Sequence, residues 1–143
     1  MGYPGKLKNP ANKAGRSADK MPNSQQIGNR WEKEAESFLL QHGLTTRKRN
    51  FYCRSGEIDL IMNDGEMLVF VEVRYRGNDW HGSGAETVNA RKQSRLIRAA
   101  LYFLVKNPRF SQKSCRFDVI SIGNHNGKTE FRWIRNAFDT PPG

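Results

Sequence analysis

The sequence predicts an α/β domain whose mixed sheet is flanked by helices, in the order α-β-β-β-α-β-β. Three observations point there. Two runs of alternating apolar residues meet across a tight turn within residues 56–76, GEIDLIMNDGEMLVFVEVRYR. Apolar residues at helical spacing occupy one stretch before them and one after. Two more strand-like runs follow the second helix.

Residues 1–24 are rich in Pro, Gly, Asn, Ser and Lys and hold almost no large apolar side chains. They cannot bury enough surface to offset ordering and are expected to be disordered. Lys6, Lys8, Lys13, Arg16 and Lys20 against Asp19 give this tail a net charge of +4. It reads equally as a basic arm for phosphate contacts and as an unconstrained terminus. The domain is expected over 25–138, with 139–143 a short C-terminal tail.

From Gly28 the pattern turns helical, with Trp31, Ala35, Phe38 and Leu39 on one stripe and a stop signal at Gly43. Glu34 and Glu36 read as solvated helix charges. Glu32, beside Trp31 at the edge of the buried face, is placed to reach the carboxylates of a sheet on which the helix packs. Residues 46–53, TRKRNFYC, begin basic and end aromatic, as suits a strand entering the sheet. Arg47, Lys48, Arg49 and Arg54 are candidates for phosphate contacts, although exposed basic residues beside a strand are ordinary.

The hairpin at 56–76 carries three carboxylates where a sheet normally hides apolar side chains. With Asn63-Asp64-Gly65 as the turn, Ile58, Leu60 and Met62 alternate onto one face, and Glu57, Asp59 and Ile61 onto the other. In the second run Met67, Val69, Val71 and Val73 lie opposite Leu68, Phe70, Glu72 and Arg74. A two-residue loop at Asp64-Gly65 makes Asp59 and Glu72 diagonal neighbours, and a slip of two residues makes them direct partners. In both registers Glu57, Asp59, Glu72 and Arg74 share a face. Carboxylates held together on a half-buried face repel unless a cation, a proton or a basic side chain compensates. An oxygen-only set without a Cys/His cluster favours a hard ion, Mg2+ or Mn2+. The plainer reading has the acids solvated and Arg74 paired to one of them; Ile61, Leu68 and Phe70 weaken it by making the same face largely apolar.

After Arg76, GNDWHGSGAE reads as a mobile loop. Trp80 is expected to cover an apolar patch in preference to stacking on a base. His81 has no ligand-spaced companion and is not assigned to catalysis. The second helix is expected from near Thr87 to about Lys106, with Leu96, Ile97, Ala100, Leu101, Phe103, Leu104 and Val105 dominating its C-terminal half. Its first half is a dense basic and amide surface of Arg91, Lys92, Gln93, Arg95 and Arg98, suited to holding phosphates near the carboxylates. A merely solvated helix face mixes signs more than this. Asn107-Pro108 stops the helix. CRFDVISI (115–122) and EFRWI (130–134) read as strands joined through GNHNGK. Asp118 is expected to pair with a basic neighbour more simply than to act as a fourth functional carboxylate, and Asn136-Ala137-Phe138 to cap the domain.

The 143 residues suit one domain plus a tail, with 36% apolar and 27% charged residues. No apolar run reaches the length of a membrane span, and the N-terminus lacks a secretory signal, so a cytoplasmic protein without a membrane partner is expected. Cys53 and Cys115 read as reduced, buried strand residues. A net charge of +10, from 24 basic and 14 acidic residues, makes nucleic acid the first partner to consider.

Gly28 with Trp31-Glu32, GEIDLI, VFVEVRYR, the Lys92-Gln93 helix and CRFDVI, in that order, closely resemble the YraN family of uncharacterised predicted endonucleases, over about residues 27–138. More distantly, the core is similar to archaeal Holliday-junction resolvases of the PD-(D/E)XK nuclease superfamily. The resemblance implies a restriction-endonuclease-like core in a nuclease-like domain, with Glu32, Asp59, Glu72 and the Val73 backbone carbonyl on Mg2+ or Mn2+. It makes Glu32, Asp59, Glu72 and Arg74 the catalytic candidates. Arg47, Lys48, Arg49, Arg91, Lys92, Gln93 and Arg95 are the nucleic-acid-binding ones. The expected function is metal-dependent hydrolysis of phosphodiester bonds in structured or branched DNA, with DNA ahead of RNA. A resolving activity would require a homodimer.

One position departs from the superfamily pattern. Arg74 stands where the superfamily has lysine, and a guanidinium is a poor general base though a good clamp for a phosphate or a developing oxyanion. The alternatives are a non-catalytic nucleic-acid-binding module on a nuclease fold, and a small basic scaffold whose carboxylates only form salt bridges. No helix-turn-helix or zinc-finger signature is present, so shape selectivity is expected before base readout.

Overall fold

The computed structural model describes residues 24–77 and 88–139, with side chains from Asn29 onward. The expectations for the tail over 1–23, for Trp80 and His81 within 78–87, and for 140–143 lie outside the described residues. In chain order the protein forms α1 (Ser24–Gln41), β1 (Thr45–Cys53), β2 (Gly56–Asp64), β3 (Met67–Gly77), α2 (Ala90–Lys106), a 3₁₀ turn (Pro108–Phe110), β4 (Cys115–His125) and β5 (Lys128–Ile134). This is the expected α-β-β-β-α-β-β order, a mixed sheet consistent with a restriction-endonuclease-like core.

The five strands form one sheet in sequence order, β1-β2-β3-β4-β5. All neighbours are antiparallel except β3 and β4, which run parallel because α2 carries the chain back along the sheet. Ala35 and Leu39 of α1 pack with Leu60, Met62, Val69, Val71, Ile120 and Ile122. Leu96, Ala99, Ala100 and Phe103 of α2 pack with Ile58, Ile61, Leu68, Phe70, Phe117 and Val119. The central strands are therefore apolar on both sides, and β3 reads as a nearly continuous apolar run from Met67 to Val71.

Local chemistry sets the boundaries. Asn89 caps α2, its Oδ1 accepting from the Lys92 N–H at 2.9 Å, so the helix starts three residues later than Thr87. Its buried stripe is Leu96, Ala99, Ala100 and Phe103, whereas Leu101, Tyr102 and Val105 are exposed, so the apolar C-terminal half is only partly core. α1 begins at Ser24, slightly before the helical pattern expected from Gly28. Asn126 and Gly127, at φ 51° and 78°, suit a tight type I′ turn, which lengthens both flanking strands beyond the expected ranges. Cys53 and Cys115 are free thiols, but half-buried, not buried.

The central hairpin corrects two expectations. Asp64 pairs with Met67, so the loop is Gly65-Glu66, not Asp64-Gly65, and Gly65 takes the position where a type II′ turn asks for positive φ. Leu60 then pairs with Val71, the register reached by the two-residue slip. Its continuation sets Asp59 against Glu72. The second correction is to the alternation, which breaks at Asp59. Ile58 joins Ile61 in the core under α2, while Leu60 and Met62 face α1. The pairing explains why. The β2–β3 ladder stops at Leu60–Val71, and the β1–β2 register passes over Asn50 and Asp59 between Arg49–Leu60 and Phe51–Ile58.

Asp118 takes the structural role expected of it. Buried in β4, it accepts from Arg116 Nε at 3.0 Å, Trp133 Nε1 at 2.9 Å and the Asn136 N–H at 2.9 Å. Arg116 also reaches Asp64 at 2.8 Å, tying β4 to the turn end of β2. The Ala137 N–H donates to the Phe117 carbonyl and Phe138 stacks on the Phe117 ring, closing the C-terminal end of the described domain.

Candidate functional site

The carboxylates meet where β2 and β3 part. Asp59 Oδ2 accepts the Val73 N–H at 2.8 Å, so a side chain occupies the place of the next ladder bond. Across from it Glu72 projects toward α2, where the Lys92 ammonium lies 3.5 Å from Glu72 Oε2. The Asn89 cap fixes the first turn of α2 and with it the base of Lys92. From the other helix, Trp31 stacks on Tyr75 of β3 at 4.3 Å between ring centroids and 8° between planes. That contact brings the next residue, Glu32, to hydrogen-bond Asp59. Carboxylate oxygens of Glu32, Glu57 and Asp59 lie within 4.8 Å of one another.

So many acids at one place hold protons strongly. Burial above all, then the charge of Glu72 and those of Glu32 and Glu57, push Asp59 up to about 8, against partial relief from the Val73 N–H. Glu72 is also raised, chiefly by burial, while Lys92 and Arg74 pull the other way. Glu32 is raised by burial and by Glu57, with its hydrogen bond to Asp59 opposing. The Tyr52 phenol, on the residue paired with Glu57 across β1–β2, is raised mainly by the Glu57 charge. An all-oxygen donor set of this kind fits a hard divalent cation, which would replace the protons.

The expected residues divide clearly. Glu32, Asp59 and Glu72 come together, and the charge of Arg74 acts on Glu72. Val73 meets Asp59 through its N–H. Glu57 belongs with Glu32 and Asp59, although the resemblance gave it no place among the metal-binding residues; its spacing of two from Asp59 was the available signal. Lys92 is part of the carboxylate centre. Gln93 Nε2 donates to the Val88 carbonyl at 2.7 Å and so ties down the start of α2. Arg95 carries its stem over Gly56, where an added Cβ would lie 3.6 Å from Arg95 Cβ, and Arg91 is exposed.

On β1, Arg49 is paired within the fold. Its Nε and Nη2 bind Glu36 at 2.9 Å each, and Thr46 Oγ1 donates to the same carboxylate. Glu36 is therefore buried and paired, not solvated as expected. Burial alone would raise it, yet the hydrogen bonds from Arg49 and Thr46 hold it below the ordinary glutamate value. Arg47 lies 5.1 Å from the centroid of the Phe110 ring, and Lys48 is exposed. A cavity of about 600 Å³ lies at the turn end of β2, beside Asp64, Met67 and Arg116, away from Asp59; Asp64 and Arg116 are already paired there.

A family model described as "Uncharacterised protein family UPF0102" matches residues 31–122, from Trp31 through the Ile122 position of β4. The chain belongs to the UPF0102 family. A UPF0102 protein of Stutzerimonas stutzeri is 46% identical over 112 residues, covering 76% of this chain and 93% of the relative. One from Hahella chejuensis is 48% identical over 112 residues, covering 78% and 89%. One from Pseudomonas fluorescens is 42% identical over 115 residues, covering 80% and 94%. The UPF0102 match includes Glu32, Glu57, Asp59, Glu72 and Lys92. No described helix of this UPF0102 chain is long and apolar enough to cross a membrane.

Proposed function

We propose that this UPF0102 protein is a metal-dependent nuclease that hydrolyses phosphodiester bonds in structured or branched DNA. The observation that carries the reading is the convergence of Glu32, Glu57, Asp59 and Glu72 where β2 and β3 part, with Lys92 and Arg74 acting on Glu72. The resemblance to the YraN endonucleases and, more distantly, to the PD-(D/E)XK resolvases supports it.

Asp59, Glu72, Glu32 and Glu57 are the residues that would hold Mg2+ or Mn2+. Such an ion, when bound, polarises a phosphoryl oxygen and lowers the pKa of an attacking water. The protein's own groups supply the rest. The Val73 N–H orients Asp59. Arg74, always charged, stabilises negative charge developing on the phosphate, and Lys92 holds Glu72 in place and opposes the protonation that burial favours. Arg91, Arg95 and Lys48 position the backbone of a polyanion, in keeping with the net charge of +10.

The test is cleavage of labelled duplex, flap and four-way-junction DNA with magnesium, manganese or chelator. Cutting that needs the metal and disappears in Asp59→Ala and Glu72→Ala supports the reading. A second reading, a nucleic-acid-binding module without catalysis, is favoured by Arg74 at the lysine position. Salt-sensitive binding of branched DNA with no cutting under any metal would install it instead.

A further inference from the structure

An exposed aromatic ring stands beside the acidic centre, and phosphodiester hydrolysis gives it no role. Tyr52 of β1 pairs with Glu57 across the β1–β2 ladder, so the two side chains leave the same face of the sheet. That face is the one toward α1. Phe51 and Cys53 pack into the core on the α2 side, and Tyr52 between them points the other way. Tyr52 is 66% exposed, and β1 is an edge of the sheet, so the ring is open beside the carboxylates. Its hydroxyl donates to Glu57, which steadies the ring. The other described tyrosines are placed differently. Tyr75 stacks on Trp31, and Tyr102 meets Phe51 and Lys106.

The surroundings of the ring select what can lie on it. Glu57, Glu32 and Asp59 are the charges that act on the phenol, all of them negative, so a phosphate finds repulsion there. Its place is at the ion those carboxylates would hold. A basic peptide would suit the acids, but a chain with a net charge of +10 repels it. What remains is a flat, neutral group carried by a polyanion, which is a nucleobase. Every base offers a π-face, and stacking on a protein ring needs no particular sequence. In regular duplex both faces of a base are covered by its neighbours, so the base must be out of its stack.

We propose that Tyr52 is the platform for an unpaired nucleobase whose adjoining phosphate lies at the carboxylates. The proposal rests on the nuclease reading and narrows its substrate to nucleic acid with a single-stranded segment at the site of cutting.

The test is a cycle of ring against base, read as binding with calcium in place of magnesium. Fluorescence anisotropy compares a labelled flap DNA, the same flap made abasic in its single-stranded segment, and regular duplex. Wild type, Tyr52→Phe and Tyr52→Thr are measured on each, threonine keeping a strand former at an exposed position. Wild type should bind the flap with bases about tenfold more tightly than the abasic flap, in the range of one base stacked on one ring. Tyr52→Phe should keep that ratio and Tyr52→Thr abolish it, with affinity for regular duplex the same in all three proteins. A ratio that persists in Tyr52→Thr overturns the proposal. So does one lost equally in Tyr52→Phe, which would assign the tyrosine to Glu57 through its hydroxyl. Equal binding of both flaps by wild type overturns it as well, while metal-dependent cutting leaves the nuclease reading standing. Equal binding of the flaps together with binding of labelled oligo-lysine that Tyr52→Thr weakens overturns it in favour of a basic peptide. A ring-dependent ratio without cutting under any metal keeps the base platform and overturns the nuclease reading. Failure to bind any DNA overturns both.

Discussion

The Lys92 ammonium lies 3.5 Å from Glu72 Oε2, reaching the sheet from α2 at the position opposite Asp59. It is a cation set against an acid whose hold on a proton burial strengthens. In Lys92→Met that acid loses its ion-pair partner on α2. The ammonium is more than a third exposed, which screens the pair, so a loss of about 1 kcal/mol is expected in chelator. Urea unfolding with and without magnesium checks it. The loss should shrink when a divalent ion supplies the charge, and an equal loss in both conditions would separate Lys92 from the metal site.

Asp59 makes metal-free stability depend on pH. Its folded value of about 8 lies above the ordinary 3.8, so the folded state keeps a proton that the unfolded state has released between those limits. Stability contributed by this group is therefore present below about 4 and falls as pH rises toward 8. Asp59→Asn removes the titration while keeping an acceptor for the Val73 N–H. In chelator at pH 8 this variant should be more stable than wild type by roughly a few kcal/mol. The two should converge at pH 4, and a constant gap between them would contradict the assignment.

Metal and protons compete for the same oxygens. Magnesium or manganese should raise the melting temperature markedly at pH 8 and less at pH 5, where a proton already occupies Asp59. At a hundredfold excess over the dissociation constant the gain is about 2.7 kcal/mol. Thermal melts across pH with added metal measure it. A gain that does not depend on pH would place the ion elsewhere.

Asp118 provides the contrast, an acid that is structural. Asp118→Ala removes one of the two carboxylates that hold a mostly buried Arg116, and the acceptor of Trp133 Nε1, and should cost about 3 kcal/mol. The metal-induced shift in melting temperature should survive at a temperature where the variant is folded. Its loss would tie β4 to the metal site.

Arg91 and Arg95 bear on affinity for a polyanion. Replacing both by alanine should weaken binding to unrelated sequences alike and flatten the slope of log affinity against log salt by about two. An unchanged slope would place the polyanion elsewhere on the surface.

Much of this architecture was legible because period-two and helical patterns report burial directly. Trp31, Ala35, Phe38 and Leu39 marked the inward face of α1, and the alternation of β3 held from Met67 to Val73. Glu32, Asp59 and Glu72 were legible as acids in apolar surroundings. What escaped were relationships set by interruptions of regular structure. Nothing local announced that Asp59 would capture the Val73 N–H and send Ile58 to the other side of the sheet. Glu36 looked like a surface charge because Thr46 and Arg49 come to it from the next element. Lys92 was read as a phosphate contact because its distance from Glu72 depends on the crossover that makes β3 and β4 parallel.

The strand order of the sheet repeats the order of the chain, and this bears on how the molecule assembles. Most pairings close short loops, and only β3 with β4 must wait for a long crossover. Glu57, Asp59 and Glu72 all sit on the early β2–β3 segment, whereas Lys92 arrives with the helix that follows. A nucleus built on that hairpin gathers its negative charges before their counter-ion is in place. Divalent ions and screening salt should then act on the folding limb of a chevron plot as much as on the unfolding limb.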